Sequence, residues 1–344
     1  DKDSRGVLIL GSATPSVATY RRSEEGIYRL IKLTERYNKV SMPEVTVTDM
    51  RDELRSGNTS VISGRLYQSM KEQLGAGKQV MLFLNRRGYS TFISCRECGY
   101  VAKCPTCGLS LTYHKKNGSA VCHYCGYQTA AISSCPDCGS RYVKYFGSGT
   151  EKVEETVSAM FPEYSTERLD LDSVRKKGEL ERRLRAFQKG KTDILIGTQL
   201  IAKGLDFKNV GLVGIISADV ALNIPDFRSP ERALQLIIQA AGRAGRGDEK
   251  GKVVIQTYSP EHYAVAFAAA QDYEGFYKTE IQLRKYMGYP PFSDMFQILF
   301  TSADQQEALR GAQSWHDRLM KALPEEEKGN LFRPQEAYMS KIKE

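Results

Sequence analysis

The sequence predicts an α/β protein: one lobe on a parallel sheet, a small two-zinc-binding domain inserted in it, and a C-terminal α/β domain. Three observations carry this expectation. Apolar runs of strand length alternate with helical stretches of about 10–15 residues, the pattern of a parallel sheet covered on both faces. All eight cysteines lie between Cys95 and Cys138, in four Cys-x-x-Cys pairs. The alternation resumes after the last pair, so the cysteine segment interrupts the lobe.

Val7-Leu8-Ile9-Leu10, running into Gly-Ser-Ala-Thr-Pro-Ser, reads as a buried strand followed by a tight loop. A chain that starts on a central strand is expected to be a fragment, because a lone strand leaves its backbone groups unpaired. Residues 20–62 read as a charged connecting region with one strand at Val45–Thr48. A helix is expected over Arg65–Leu74, stopped by Gly75-Ala76-Gly77, and then a buried strand at Gln79–Leu84. After the cysteines come a helix at Glu151–Met160, a strand near Thr166–Leu171 and a charged helix at Gly178–Gln188. Strands at Asp193–Ile196 and Val210–Ser217, a helix at Pro230–Ala241 and a strand at Lys252–Thr257 complete the lobe. From about Glu261, two helices, a Gly-Tyr-Pro-Pro-Phe turn, a strand at Met295–Ser302 and a helix at Gln305–Leu323 read as a small α/β domain.

A length of 344 residues exceeds one ordinary core. No stretch approaches the roughly 18 apolar residues of a membrane span, and the N-terminus has no signal-like run, so a cytoplasmic protein without membrane contact is expected. The formal charge is +8, from 49 basic and 41 acidic residues. Eight thiolates around two zinc ions lower it to about +4, compatible with nucleic acid but not diagnostic of it.

The cysteines run Cys95-x2-Cys98, five residues, Cys104-x2-Cys107, fourteen residues, Cys122-x2-Cys125, nine residues, Cys135-x2-Cys138. Disulfides need a secretory context that is missing here. Each pair can instead fold as a knuckle aiming two sulfurs at one ion, and two knuckles complete a closed tetrahedral site. Two structural Zn2+ ions are therefore expected, with no open position for catalysis. Spacing leaves more room over which knuckles share an ion. The fourteen-residue gap comes close to the roughly 15–20 of known ribbon hairpins, which favours a nested pairing of the inner two and the outer two. His114 and His123 could ligate, but eight cysteines already fill two sites. An insertion with its own metal-made core is expected to project from the lobe and to touch DNA or protein partners.

Three further motifs bear chemistry. Gly242-Arg243-Ala244-Gly245-Arg246, preceded by Gln239, places two arginines in a glycine-lined turn just past a helix, where their fixed forks of donors suit a polyphosphate. Gly197-Thr198-Gln199 and Lys203-Gly204-Leu205-Asp206-Phe207 follow a buried strand, offering hydroxyl and backbone donors to nucleic-acid phosphates, with Gly204 allowing close approach. Ser12, Ala13 and Thr14 sit where small hydroxyl residues can relay nucleotide state to a neighbouring lobe. Each motif alone also fits an ordinary turn; their order gives them weight.

Gly-Ser-Ala-Thr-Pro-Ser, Leu-Asn-Arg-Arg-Gly-Tyr at 84–89, the four knuckles, Phe-Gly-Ser-Gly-Thr-Glu at 146–151, the Thr198–Phe207 stretch, Gln-Ala-Ala-Gly-Arg-Ala-Gly-Arg and Gly-Tyr-Pro-Pro-Phe at 288–292 occur in that order. The sequence thereby resembles the PriA family of bacterial replication-restart helicases, in superfamily 2. The resemblance covers nearly the whole chain and implies a RecA-like helicase motor lobe that moves 3′ to 5′ on DNA at the expense of ATP and Mg2+. It also implies forked or junction DNA as substrate. Primosome proteins, the replicative helicase loader and single-stranded-DNA-binding protein are the implied partners of a monomer working at nucleoid forks.

The resemblance further implies one zinc on Cys95, Cys98, Cys135 and Cys138 and another on Cys104, Cys107, Cys122 and Cys125. Gln239, Arg243 and Arg246 match motif VI, which contacts nucleotide phosphates; Gly242, Gly204 and Asp206 are expected beside the nucleotide. Ser12, Ala13 and Thr14 match motif III, which couples hydrolysis to DNA, and Thr198 and Lys203 are expected at DNA. On this reading residues 1–20 end a first lobe and 21–92 link it to the start of a second. Residues 93–147 form the zinc insertion, 148–260 the rest of lobe 2 with motifs V and VI, and 261–344 a truncated C-terminal domain.

These residues contain no Gly-x-x-x-x-Gly-Lys-Ser/Thr loop and no Asp-Glu-x-His motif. The chain alone is therefore expected to hydrolyse no ATP. The competing reading is a non-enzymatic zinc-ribbon module, binding nucleic acid or protein, on a helicase-like scaffold.

Overall fold

The computed structural model describes residues 6–33, 42–84, 92–114, 117–145, 150–170, 178–198, 207–245 and 250–336. Helix α1 (Val17–Glu24) precedes strand β1 (Glu44–Asp49), α2 (Met50–Arg55), α3 (Gly64–Gly75) and β2 (Gln79–Leu84). Five short strands follow: β3 (Ile93–Cys95), β4 (Thr112–His114), β5 (Ser119–Val121), β6 (Gln128–Ala130) and β7 (Val143–Tyr145). Then come α4 (Thr150–Met160), β8 (Thr166–Leu169), α5 (Glu179–Gln188), β9 (Ile194–Gly197) and β10 (Val210–Ile216). The remainder is α6 (Asp219–Leu222), α7 (Ser229–Ala241), β11 (Lys252–Thr257), α8 (Tyr263–Ala270), α9 (Tyr273–Met287), α10 (Gln305–Ala322) and α11 (Glu325–Lys328).

Six strands form one sheet in the order β1-β11-β10-β2-β9-β8, and every pairing is parallel. The central strands read Gln-Val-Met-Leu-Phe-Leu, Ile-Leu-Ile-Gly and Val-Gly-Leu-Val-Gly-Ile-Ile, near-continuous apolar runs suited to burial on both faces. Their side chains alternate between two cores. Met81, Phe83, Leu195, Val213 and Ile215 meet α7, α8 and α9 on one face, with Val17 and Tyr20 of α1. Val80, Leu82, Leu84, Ile194, Ile196 and Leu212 meet Leu66, Met70 and Leu74 of α3 and Val153, Val157 and Phe161 of α4 on the other. Each such side chain contributes about 1.5–3 kcal/mol on burial. Gly214 lets α3 approach: a Cβ there would lie 2.7 Å from Leu82 Cδ2 and 2.9 Å from Leu66 Cδ1. Ser63 caps α3 by accepting from the Leu66 amide.

Between β2 and α4 lies the cysteine module, with β3 and β7 paired antiparallel and β4-β5-β6 as an antiparallel meander. The elements expected within the lobe from the sequence all form, within a few residues. Two expected strands do not. Val7–Leu10 is irregular and exposed, with Leu8 at 83%. Residues 295–302 are likewise irregular, with Phe296 at 93%. Both have strand-like composition, but among the described residues no sheet edge pairs with them, and a strand forms only where its amides find partners. The apolar core also continues past residue 260: Ala264, Val265 and Ala268 of α8 and Phe276 and Tyr277 of α9 are buried in the α7-side core. Helix α10 buries no residue.

Candidate functional site

The four knuckles share one backbone design. The first cysteine's amide donates to the carbonyl five residues on, and its carbonyl accepts from the glycine four residues on, at 2.7–3.0 Å for Cys95, Cys104, Cys122 and Cys135 alike. Those glycines, Gly99, Gly108, Gly126 and Gly139, have φ from +65° to +82°, which the turn requires and other residues rarely adopt. Each turn presents two sulfurs on one side.

The knuckles converge in nested fashion, Cys95, Cys98, Cys135 and Cys138 in one cluster and Cys104, Cys107, Cys122 and Cys125 in the other, with the sulfurs of each within 4.8 Å of one another. Cys95–Cys138 Sγ atoms are 3.7 Å apart, and Cys98–Cys135 and Cys104–Cys125 are each 3.5 Å apart. Zinc–thiolate bonds of about 2.3 Å in a tetrahedron put sulfurs about 3.8 Å apart, so both clusters fit a zinc ion. The Cys107 amide donates to Cys104 Sγ at 3.4 Å, as a thiolate invites. Burial pushes the Cys98 thiol up to about 12 and the Cys122 thiol up to about 11, and a dication among the sulfurs would favour the thiolate form. His114 and His123 face each other, Nε2 to Nε2 at 3.2 Å, and stand outside both clusters.

The module is fastened to the lobe beside both cysteine clusters. Beside the outer cluster, buried Arg96 donates to Tyr258 Oη at 2.7 Å, just past β11. Arg51 and Arg55 of α2 donate to the carbonyls of Cys98 and Glu97, both at 3.3 Å. Beside the inner cluster, Tyr289 Oη donates to the Cys107 carbonyl at 2.9 Å, and Ser110 Oγ donates to Asn223 Oδ1 at 3.0 Å. Phe227 packs into the module's own core.

Of the expected motor residues, Ser12 and Ala13 are exposed and Thr14 is buried. Gln235 of α7 donates to the Thr14 carbonyl at 3.1 Å, and Tyr273 Oη donates to the Pro15 carbonyl at 2.8 Å. Gln239 lies one turn beyond Gln235 on the same face of α7. Gly242 caps that helix, Arg243 follows half-buried, and the Gly245 amide donates to the Val210 carbonyl at the start of β10. The Ser12–Thr14 segment and the helix leading to Arg243 are thus brought together. Thr198 is buried at the opposite, C-terminal end of the sheet, beyond β9. Lys203, Gly204, Asp206 and Arg246 lie outside the described residues. The sequence reading missed Gln235, although its spacing from Gln239 was a usable signal, and it missed Arg96 and Tyr258, whose pairing spans 162 positions.

A parallel α/β lobe holding two four-cysteine zinc sites, with an arginine turn closing one helix, defines a helicase motor lobe of the zinc-ribbon kind. Residues 141–248 match the helicase conserved C-terminal domain, and residues 104–129 match the PriA DNA helicase Cys-rich region. The replication restart protein PriA of Bacillus subtilis (strain 168) is 46% identical over 305 residues, covering 89% of this chain and 38% of that protein. Its counterpart in Synechocystis is 41% identical over 315 residues, covering 89% and 38%. That of Haemophilus influenzae is 43% identical over 293 residues, covering 85% and 39%. The chain belongs to the PriA family. It spans about 38% of the length of the first of these relatives. Among the described residues no helix is long and apolar enough to cross a membrane.

Proposed function

We propose that this chain is the nucleotide-sensing half of an ATP-driven DNA helicase that restarts stalled replication forks, moving 3′ to 5′. The observation that carries the reading is the two-zinc module seated within a parallel helicase lobe, between β2 and α4. In this reading Arg243 and Arg246, with Gln239, act on phosphates of an ATP-Mg2+ held by another lobe of the gene product, and Gly242, Gly204 and Asp206 serve the same nucleotide. Ser12, Ala13 and Thr14 pass nucleotide state to α7, and Thr198 and Lys203 take DNA phosphates. The zinc ions brace structure. Forked DNA, primosome proteins, the helicase loader and single-stranded-DNA-binding protein are the partners, and the cytoplasm is the setting.

The arginine assignment implies that Arg243→Ala in the full-length gene product slows DNA-stimulated ATP hydrolysis by about 10³-fold or more, as the loss of an arginine finger does. The chain of 344 residues, assayed with single-stranded DNA, is expected to turn over no ATP. Substantial turnover by this chain alone would refute the division of the active site.

A further inference from the structure

We propose that Arg284 is a positioning residue for the Ser12–Thr14 segment, tying that segment to the inner zinc ribbon; the proposal rests on the motor reading above. Arg284 lies on α9 with its side chain 4% exposed. Its Nε donates to Glu280 Oε1 and its Nη2 to Glu231 Oε2, each at 2.7 Å. Both carboxylates are buried, and Tyr263 Oη also donates to Glu280. Such a cluster is weak evidence for stability, since apolar side chains of similar volume commonly hold a fold as well or better. A directional role accounts for it.

The contacts on either side supply that role. Toward the ribbon, the Arg284 guanidinium lies 5.1 Å from the Phe227 ring centroid, and Phe227 stacks on Tyr289 at 5.1 Å and 18°. Tyr289 in turn donates to the Cys107 carbonyl. Toward the motor, Glu231 Oε1 accepts from Gln235 Nε2 at 3.4 Å, and the same nitrogen donates to the Thr14 carbonyl. A guanidinium can serve both directions because its fork of donors is planar and fixed. Arg284 therefore sets the orientation of Glu231, Glu231 that of Gln235, and Gln235 the position of Thr14.

The test uses the full-length gene product carrying E231L/E280L/R284M, an apolar exchange whose melting is first compared with that of the parent. Hydrogen exchange of amides 12–20 is read beside kcat and KM for DNA-stimulated ATP hydrolysis. Exchange at 12–20 is expected to rise roughly fivefold to tenfold, the shift one net hydrogen bond produces, with kcat reduced and KM for ATP unchanged. Tyr289→Phe is expected to move exchange at 12–20 in the same direction and to add nothing on top of the triple variant. Unchanged exchange at 12–20 in the folded triple variant overturns the proposal. If the triple variant does not fold, Gln235→Leu severs only the last link, and unchanged exchange there overturns it equally. A parent protein without DNA-stimulated ATPase refutes the motor reading, while the exchange result still decides the role of Arg284.

Discussion

Tyr258→Phe isolates the bond that joins the outer zinc site to the sheet. The Arg96 side chain is buried, its Nε donates to Tyr258 Oη at 2.7 Å, and its guanidinium carbon lies 5.3 Å from the ring centroid. The substitution keeps the ring and its attraction for the cation but removes the hydroxyl acceptor. A hydrogen bond to a charged group contributes about 1.5–3 kcal/mol, and a buried donor left without its acceptor forfeits that amount. At about 1.4 kcal/mol per tenfold, the opening of residues 93–103 from the lobe should become roughly ten to a hundred times more frequent. Hydrogen exchange of those amides, and the rate at which a chelator draws zinc from the Cys95 site, both read that opening. The Arg51 and Arg55 contacts to Cys98 and Glu97 are untouched, so the module should stay docked on average. Unchanged exchange and unchanged zinc release in the variant would refute the claim that this bond fastens the module.

Replacing Cys104 and Cys107 with serine should lower bound zinc from two equivalents to one by elemental analysis, leaving the Cys95 cluster loaded; loss of both ions would contradict two independent sites. Asp219, buried at the C-terminal end of β11, accepts from Thr257 Oγ1 and the Tyr258 amide, yet burial holds its carboxyl up at about 6 against an ordinary 3.8. The folded state therefore binds this proton more tightly than the unfolded state. The resulting stabilisation, at most about 3 kcal/mol, is full below pH 3.8 and lost as pH rises through about 6. The stability difference between the wild type and Asp219→Asn, measured by urea unfolding, should shift toward the wild type between pH 6.5 and 5.5; a flat difference would contradict the assignment.

Much of the lobe was legible because its strands announce themselves. Runs such as Gln79–Leu84 and Val210–Ile216 are apolar on both faces, a pattern that only a covered parallel sheet accommodates. The knuckles were legible for a different reason: their chemistry is local, a turn of four residues with glycine at its end. Val7–Leu10 and Met295–Ser302 misled because composition reports what a segment could do in a sheet, while pairing depends on an available edge. The docking of the module was illegible for a related reason. Arg96 meets Tyr258, and Tyr289 meets Cys107, across sequence separations of 162 and 182, and nothing near either residue marks its partner. Of the motor residues, the sequence located the motifs but not the glutamine that brings two of them together.

The two ends of the cysteine insertion run side by side. Ile93 pairs with Tyr145 and Cys95 with Val143, so the chain leaves the lobe and returns to it about 5 Å apart. The outer zinc cluster, drawing Cys95 and Cys98 from one end and Cys135 and Cys138 from the other, closes this neck like a clasp. Closing a long loop costs chain entropy that grows only slowly with its length, and an ion at the neck offsets that cost whatever the loop contains. From the lobe's side, then, the chain passes into the insert and back through one neck, while the contacts at Tyr258, Asn223 and Tyr289 seat the folded module against the lobe. The inner ribbon's strands β4, β5 and β6 form a sheet of their own, so the register of the large sheet is set without them.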